Sequence, residues 1–216
     1  MGAIARSIAN NITTSGVFTS SAIANSSVTG ITVLANASDG ITLISSQTAS
    51  SSASLSFTSG LDSTYKAYKF VFVNIHASAG AQFEFNMSTD SGSNYNVTKT
   101  STFFASFHGE NDVTTTLDYR TSYDLAQSTG FQPLMEDFDA SNNDGSGSGT
   151  LTIFNPSSTT YVKHFISTCH NMRAGDFAFS NYSAGYGNTT SAVNAIRFKF
   201  SSGNIDDGKI YLYGIK

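Results

Sequence analysis

The sequence predicts an all-β fold, an antiparallel β-sandwich of jelly-roll type with an extended N-terminal arm. Three observations carry that prediction. Apolar residues recur at every second position in many short runs, which is the period of a strand with one buried face. Those runs are separated by clusters of Gly, Ser, Asn and Asp, which favour turns. The residues between them are Ser, Thr and Asn instead of charges, and Ser and Asn compete with the backbone in a helix interior.

The last stretch, Val193 to Lys216, organises the reading. Ile196, Phe198 and Phe200 alternate with Arg197 and Lys199. A turn over 201–208 carries Gly203 and Gly208. Ile210 and Leu212 then resume the alternation opposite Tyr211 and Tyr213. This pattern predicts a closing β-hairpin.

Taken in order, residues 1 to 47 differ from the rest. Arg6 and Asp39 are their only charges and Phe18 their only aromatic. Short apolar pulses such as Ile31-Val33-Leu34 and Ile41-Leu43-Ile44 are too sparse for a core. They predict an arm that orders on a partner or on other copies, and fully stretched it would reach about 150 Å. Residues 48 to 216 form the expected sandwich. Leu55 and Phe57 alternate with Ser and Thr. Tyr68 to Ile75 is apolar on both faces, which predicts a central strand covered on both sides. Phe83, Phe85 and Met87 alternate with polar residues, and a hairpin turn follows at Asp90 to Asn94. Leu117 to Leu125 alternates again. Phe131 to Phe138, with Pro133, predicts a loop or short helix. Leu151 and Ile153, then Val162 to Ile166, then Phe177 and Phe179 mark further strands. The count is about eight to ten strands, without a long helix.

Composition limits function. The chain has 216 residues and a formal net charge of −4, with no run of Lys and Arg, so nucleic acid is not an expected partner. No stretch approaches the roughly 18 consecutive apolar residues of a membrane helix, and no secretory signal is visible. Synthesis in a cytoplasm is the expectation. Cys169 is the one cysteine, which excludes an intrachain disulfide, and it reads as a buried thiol.

No motif for a reaction emerges, and no cofactor or enzyme activity is expected. His164 and His170 lie six residues apart on one expected strand, about 20 Å along it, too far to share a metal. The loop Asp137, Asp139, Ser141, Asn143, Asp144 and Gly145 places oxygen ligands at alternating positions. Counted from Asp139, however, Gly145 falls seventh where a calcium loop needs glycine sixth, and Thr150 stands where it needs Glu. A solvated loop is the reading there, and for Asp206-Asp207. Tyr182 and Tyr186, beside Gly185 and Gly187, are the candidate ligand or partner contacts, because an aromatic ring among small polar neighbours suits a sugar or protein surface.

Three stretches carry a resemblance: Thr48–Phe72 (TASSSASLSFTSGLDSTYKAYKFVF), Asn155–Phe165 (NPSSTTYVKHF) and Thr189–Lys216 (TTSAVNAIRFKFSSGNIDDGKIYLYGIK). They resemble virion structural proteins of tailed phages, especially marine and cyanobacterial ones. The N-terminal IANNITTSGV and ANSSVTGIT resemble the start of phage fibre and appendage proteins. The resemblance implies a non-catalytic β-sandwich on the particle surface, present in several copies. It implies capsid decoration or a short head fibre, with other capsid or tail proteins as partners, and the expected oligomer is a trimer. The alternative is a tail-fibre or receptor-binding protein that contacts a host glycan.

Overall fold

The computed structural model describes residues 40–141 and 145–216. The described residues form twelve strands and no helix. They are β1 (Ile41–Thr48), β2 (Leu55–Phe57), β3 (Ala67–Ala77), β4 (Phe83–Ser88), β5 (Lys99–Gly109) and β6 (Thr115–Tyr119). Then come β7 (Gln132–Met135), β8 (Ser146–Phe154), β9 (Lys163–Arg173), β10 (Phe177–Gly187), β11 (Ala195–Phe200) and β12 (Ile205–Ile215). An eight-stranded sheet runs β1-β12-β3-β8-β9-β10-β5-β6 and packs on a four-stranded sheet, β2-β11-β4-β7. Every pairing is antiparallel.

The order has a simple logic. The first strands pair with the last: β1 with β12 and β2 with β11, then β3 with β8 and β4 with β7. That nested pattern is a chain folded back on itself and then rolled, the jelly roll expected from the sequence. The two remaining hairpins, β5–β6 and β9–β10, join side by side and widen one sheet by four strands.

Inward-facing aromatics hold the two layers together. Phe198 on β11 lies within 5.1–6.4 Å, centroid to centroid, of Phe57, Phe70, Phe72, Phe83 and Phe85. Its contacts with Phe57, Phe70 and Phe72 are edge-to-face, the arrangement that ring quadrupoles favour. Burying one such ring contributes roughly 1.5–3 kcal/mol. A second, smaller cluster of Phe103, Ala105 and Phe179 lies under the widened half, with Phe107, Tyr123 and Phe177 packed on it.

Four sequence expectations are corrected. Strands β11 and β12 belong to different sheets, so the last stretch is a crossing between layers and not a hairpin. Alternation alone cannot distinguish the two, since each strand buries one face in either case. The crossing carries Gly203 at φ +72°, and inside β12 Gly208 sits at φ +115° in a bulge, where a Cβ would lie 2.6 Å from the Asn74 carbonyl oxygen. Strand β3 is not covered on both sides, because Val73 faces solvent. Residues 132–135 form β7 at the edge of the narrow sheet, a position where proline is tolerated. Of the expected Leu117–Leu125 strand, only the part ending at Tyr119 is extended.

Residues 41–47 of the expected arm form part of β1, whose Ile41 to Thr48 pair with Ile215 to Lys209 of β12. The rest of the expected arm, 1–39, lies outside the described residues, as do residues 142–144 of the acidic loop.

Phe198 should be the most sensitive single position. Phe198→Ala should lower stability by about 3–5 kcal/mol in equilibrium urea unfolding. The same change at Phe154, on the solvent side of β8, should cost under about 1 kcal/mol.

Candidate ligand and partner face

The outer face of the eight-stranded sheet is broad and almost free of charge. One row crosses all eight strands: Ser46, Tyr211, Val71, Thr150, Thr168, Tyr182, Phe104 and Tyr119 are successive cross-strand partners. Side chains of one row share a face. On β8, β9, β10 and β5 the outward positions are Ser, Thr, Ala, Ile, Met, His, Tyr and Phe, with no carboxylate, Lys or Arg along the paired length.

Both candidate tyrosines lie on this face. Tyr182 is stacked on Phe104, with centroids 5.0 Å apart and planes at 12°. Tyr186 is four residues further along β10, about 13 Å away, and its ring neighbours His164 at 6.2 Å. The structure therefore puts them on one surface without bringing their rings together. Phe104, 41% exposed, is the partner that sequence reasoning missed. Its signal was the outward phase of Thr102, Phe104 and Ser106, blurred because Phe103 beside it points inward. Beyond Phe104, a shallow groove of about 520 Å³ is lined by Ser106, His108, Leu117 and Ser180.

The inner face beneath this half holds a polar cluster. Asn181 Nδ2 donates to Asn171 Oδ1 at 2.7 Å, and Asn171 Nδ2 donates to the Glu136 carbonyl at 2.8 Å. The Glu136 carboxylate faces Arg120 at 3.3 Å, and burial pushes its pKa up against the pull of that arginine. Arg173 donates to Asp137 at 2.9 Å. The two guanidinium groups flank the Phe179 ring, at 5.8 and 5.1 Å. These groups pair with one another, and the cluster reads as the support that fixes β7 and the 136–139 loop against β9 and β10.

The other sequence candidates are scattered. His164 and His170 both point outward from β9. His108 contacts Asp112 at 3.0 Å, and His76 faces Asp206 at 3.6 Å. Asp137 is committed to Arg173, and Asp139 accepts from the backbone N–H and the hydroxyl of Ser141. Among the described residues no group of three His, Cys, Asp or Glu side chains converges as metal ligands. Cys169 is buried beside Gly149, and burial pushes its thiol up to about 12.

Two lysines are buried, one on each side of Gly187 in the sheet register: Lys99 on β5 and Lys163 on β9. Neither is a residue that the alternation of apolar side chains singles out. The Lys99 ammonium donates to Asn86 Oδ1 and to the Val97 carbonyl. Burial pulls its pKa down from 10.5 to about 7, with Glu84 opposing the shift. Lys163 donates to the Tyr161 and Thr189 carbonyls and is shifted in the same direction by burial.

No protein-family model and no curated protein matches this chain.

Two outcomes follow from these groups. Between about pH 7 and the normal lysine range, the unfolded chain binds more protons at residue 99 than the folded one. Stability therefore rises with pH there, by up to about 1.4 kcal/mol per unit. The urea midpoint should increase from pH 7 to pH 8.5, and Lys99→Met should flatten that increase. Cys169 should not react with Ellman's reagent in the native protein and should react fully in denaturant.

Proposed function

We propose that this chain is a non-enzymatic structural protein on the exterior of a tailed-phage particle, a capsid decoration protein or short head fibre. In this reading, the segment ahead of β1 grips the shell and the sandwich stands outward. The observation that carries the reading is the outer face of the eight-stranded sheet. It offers hydroxyls and apolar side chains over four adjacent strands, with no carboxylate, Lys or Arg among the outward positions. Such a surface can pack against protein without the cost of stripping water from ions. The resemblance of Thr48–Phe72, Asn155–Phe165 and Thr189–Lys216 to phage virion proteins supports the same reading. So does the fold, since a jelly roll closes most of its hydrogen bonding internally and stands without disulfides.

The test is location. Antibody raised against the whole chain should label the heads of particles purified from the source of this sequence. Absence of label from purified particles would overturn the proposal.

A second reading is a tail-fibre or receptor-binding protein that takes a glycan on the same face. The stacked Tyr182–Phe104 pair favours it, because an aromatic platform among Thr and Ser side chains suits a sugar ring. Label confined to the tail end would select this reading. A glycan-array signal lost by at least tenfold in Tyr182→Ala would identify the platform, and an array with no signal would remove it.

A further inference from the structure

Among the described residues the two sheets leave four edge strands: β1 and β6 in the wide sheet, β2 and β7 in the narrow one. An open edge presents unpaired N–H and C=O groups, and proteins blunt such edges with bulges, proline, charge or shortness. Three of the four are blunted here. The β1 pairing slips between Leu43 and Ser45. Strand β2 has only three residues. Strand β7 contains Pro133, and its pairing slips at Phe83/Glu84.

Strand β6 has neither a bulge nor a proline; its five residues carry one charge, Asp118, which is turned toward Arg120 and away from the open side. Its register with β5 is unbroken, from Phe104 opposite Tyr119 to His108 opposite Thr115. Its sequence, Thr-Thr-Leu-Asp-Tyr, favours strand and contains no Lys, Arg or Pro. The edge also exposes apolar side chains: Leu117 is 70% exposed, Tyr119 50%, and Val113 in the preceding turn 80%.

The hydrogen-bond phase of this edge is fixed. The Gly109 N–H donates to the Thr114 carbonyl, and the Arg120 N–H donates to the Phe103 carbonyl. In an antiparallel ladder the residues that bond to the neighbour alternate with those that point away. Residues 114, 116, 118 and 120 therefore face β5. Thr115, Leu117 and Tyr119 direct their N–H and C=O groups to the open side. Their side chains share the outer face with Phe104, Ser106 and His108.

We propose that β6 is the contact by which two copies of this chain pair, antiparallel, about a two-fold axis at Leu117. That centre places Leu117 against Leu117 of the second copy and Thr115 against its Tyr119. All three outward-facing residues then sit in hydrogen-bonded pairs, and no backbone group of that edge is left over. Charge agrees with this register. Asp118, turned toward Arg120 at 3.5 Å, falls opposite Thr116 of the second copy and not opposite its own equivalent. A two-fold contact is self-complementary, so one patch supplies both sides. The two wide sheets become one continuous sheet, and the two outer faces join. This contact is a different one from the trimer expected from the sequence. It does not depend on the proposed function.

The full chain should run as a dimer of the 22.9 kDa subunit in sedimentation equilibrium at tens of micromolar. Leu117→Lys should reduce it to a monomer with unchanged circular dichroism. Leu117→Pro should do the same, because the N–H that proline removes points away from β5 and the internal ladder survives. Leu117→Cys adds a geometric readout. Hydrogen-bonded partners have Cα atoms about 5.5 Å apart, inside the roughly 4.4–6.8 Å range of disulfides. Mild oxidation should crosslink this variant into a dimer. Thr116→Cys, facing the other side and staggered by two residues, should not crosslink. Cys169 is buried and will not contribute. A wild-type monomer would overturn the proposal. So would an oligomer that Leu117→Lys leaves intact, or crosslinking of the Thr116→Cys variant in preference to the Leu117→Cys variant.

Discussion

The fold depends on one constraint: aromatic side chains from two sheets must interlock at the ring of Phe198. That ring touches phenylalanines from β2, β3 and β4, so one residue joins strands far apart in sequence. The chain has no disulfide to constrain its unfolded state. Layer-to-layer packing must therefore supply the cohesion, and aromatics deliver the most buried area per residue. The nested strand order follows from the same demand. Pairing first strands with last brings β11 over β3, where Phe198 can meet Phe70 and Phe72.

Widening one sheet by two hairpins has consequences beyond the core. The narrow sheet ends at β7, which packs against β9 and β10. The crossing from β6 to β7 and the 136–139 loop cover the rest of that half, and they bring polar groups with them. The Asn171–Asn181 pair and the two arginines flanking Phe179 answer that polarity with hydrogen bonds and cation–π contacts. The buried Lys99 and Lys163 lie at the opposite end of β10 and bond chiefly to main-chain carbonyls. Widening also creates the uncharged area over β8, β9, β10 and β5, three of which the two added hairpins supply.

Much of this was legible in the residues. Leu55, Phe57, Phe83, Phe85, Ile196, Phe198, Ile210 and Leu212 were expected to alternate inward, and all are buried. Tyr211 and Tyr213 lie on the opposite face of β12, in the phase read from sequence. The stretches misread were those where local pattern is ambiguous. Phe131 to Phe138, with Pro133, was expected to be a loop or short helix, yet an edge strand tolerates proline. Lys99 and Lys163 are buried against the general habit of lysine, because the register of β5 and β9 turns both inward. Tyr182 and Tyr186 were recognised as candidates from their polar neighbours. Phe104 was not, because its stacking partner is 78 positions away in the chain.

The sequence by itself determined that this protein is all-β, layered and low in charge. Period-2 alternation and a Ser/Thr/Asn-rich surface are local properties that each segment carries alone. Only the tertiary structure decided which strand lies beside which. It sent β11 and β12 to different sheets and left β6 as the edge with an unbroken register. It also gathered Tyr182, Phe104 and Tyr119 into one row. The reason is physical: alternation says that a strand buries one face, and nothing in it says which neighbour will supply the backbone hydrogen bonds.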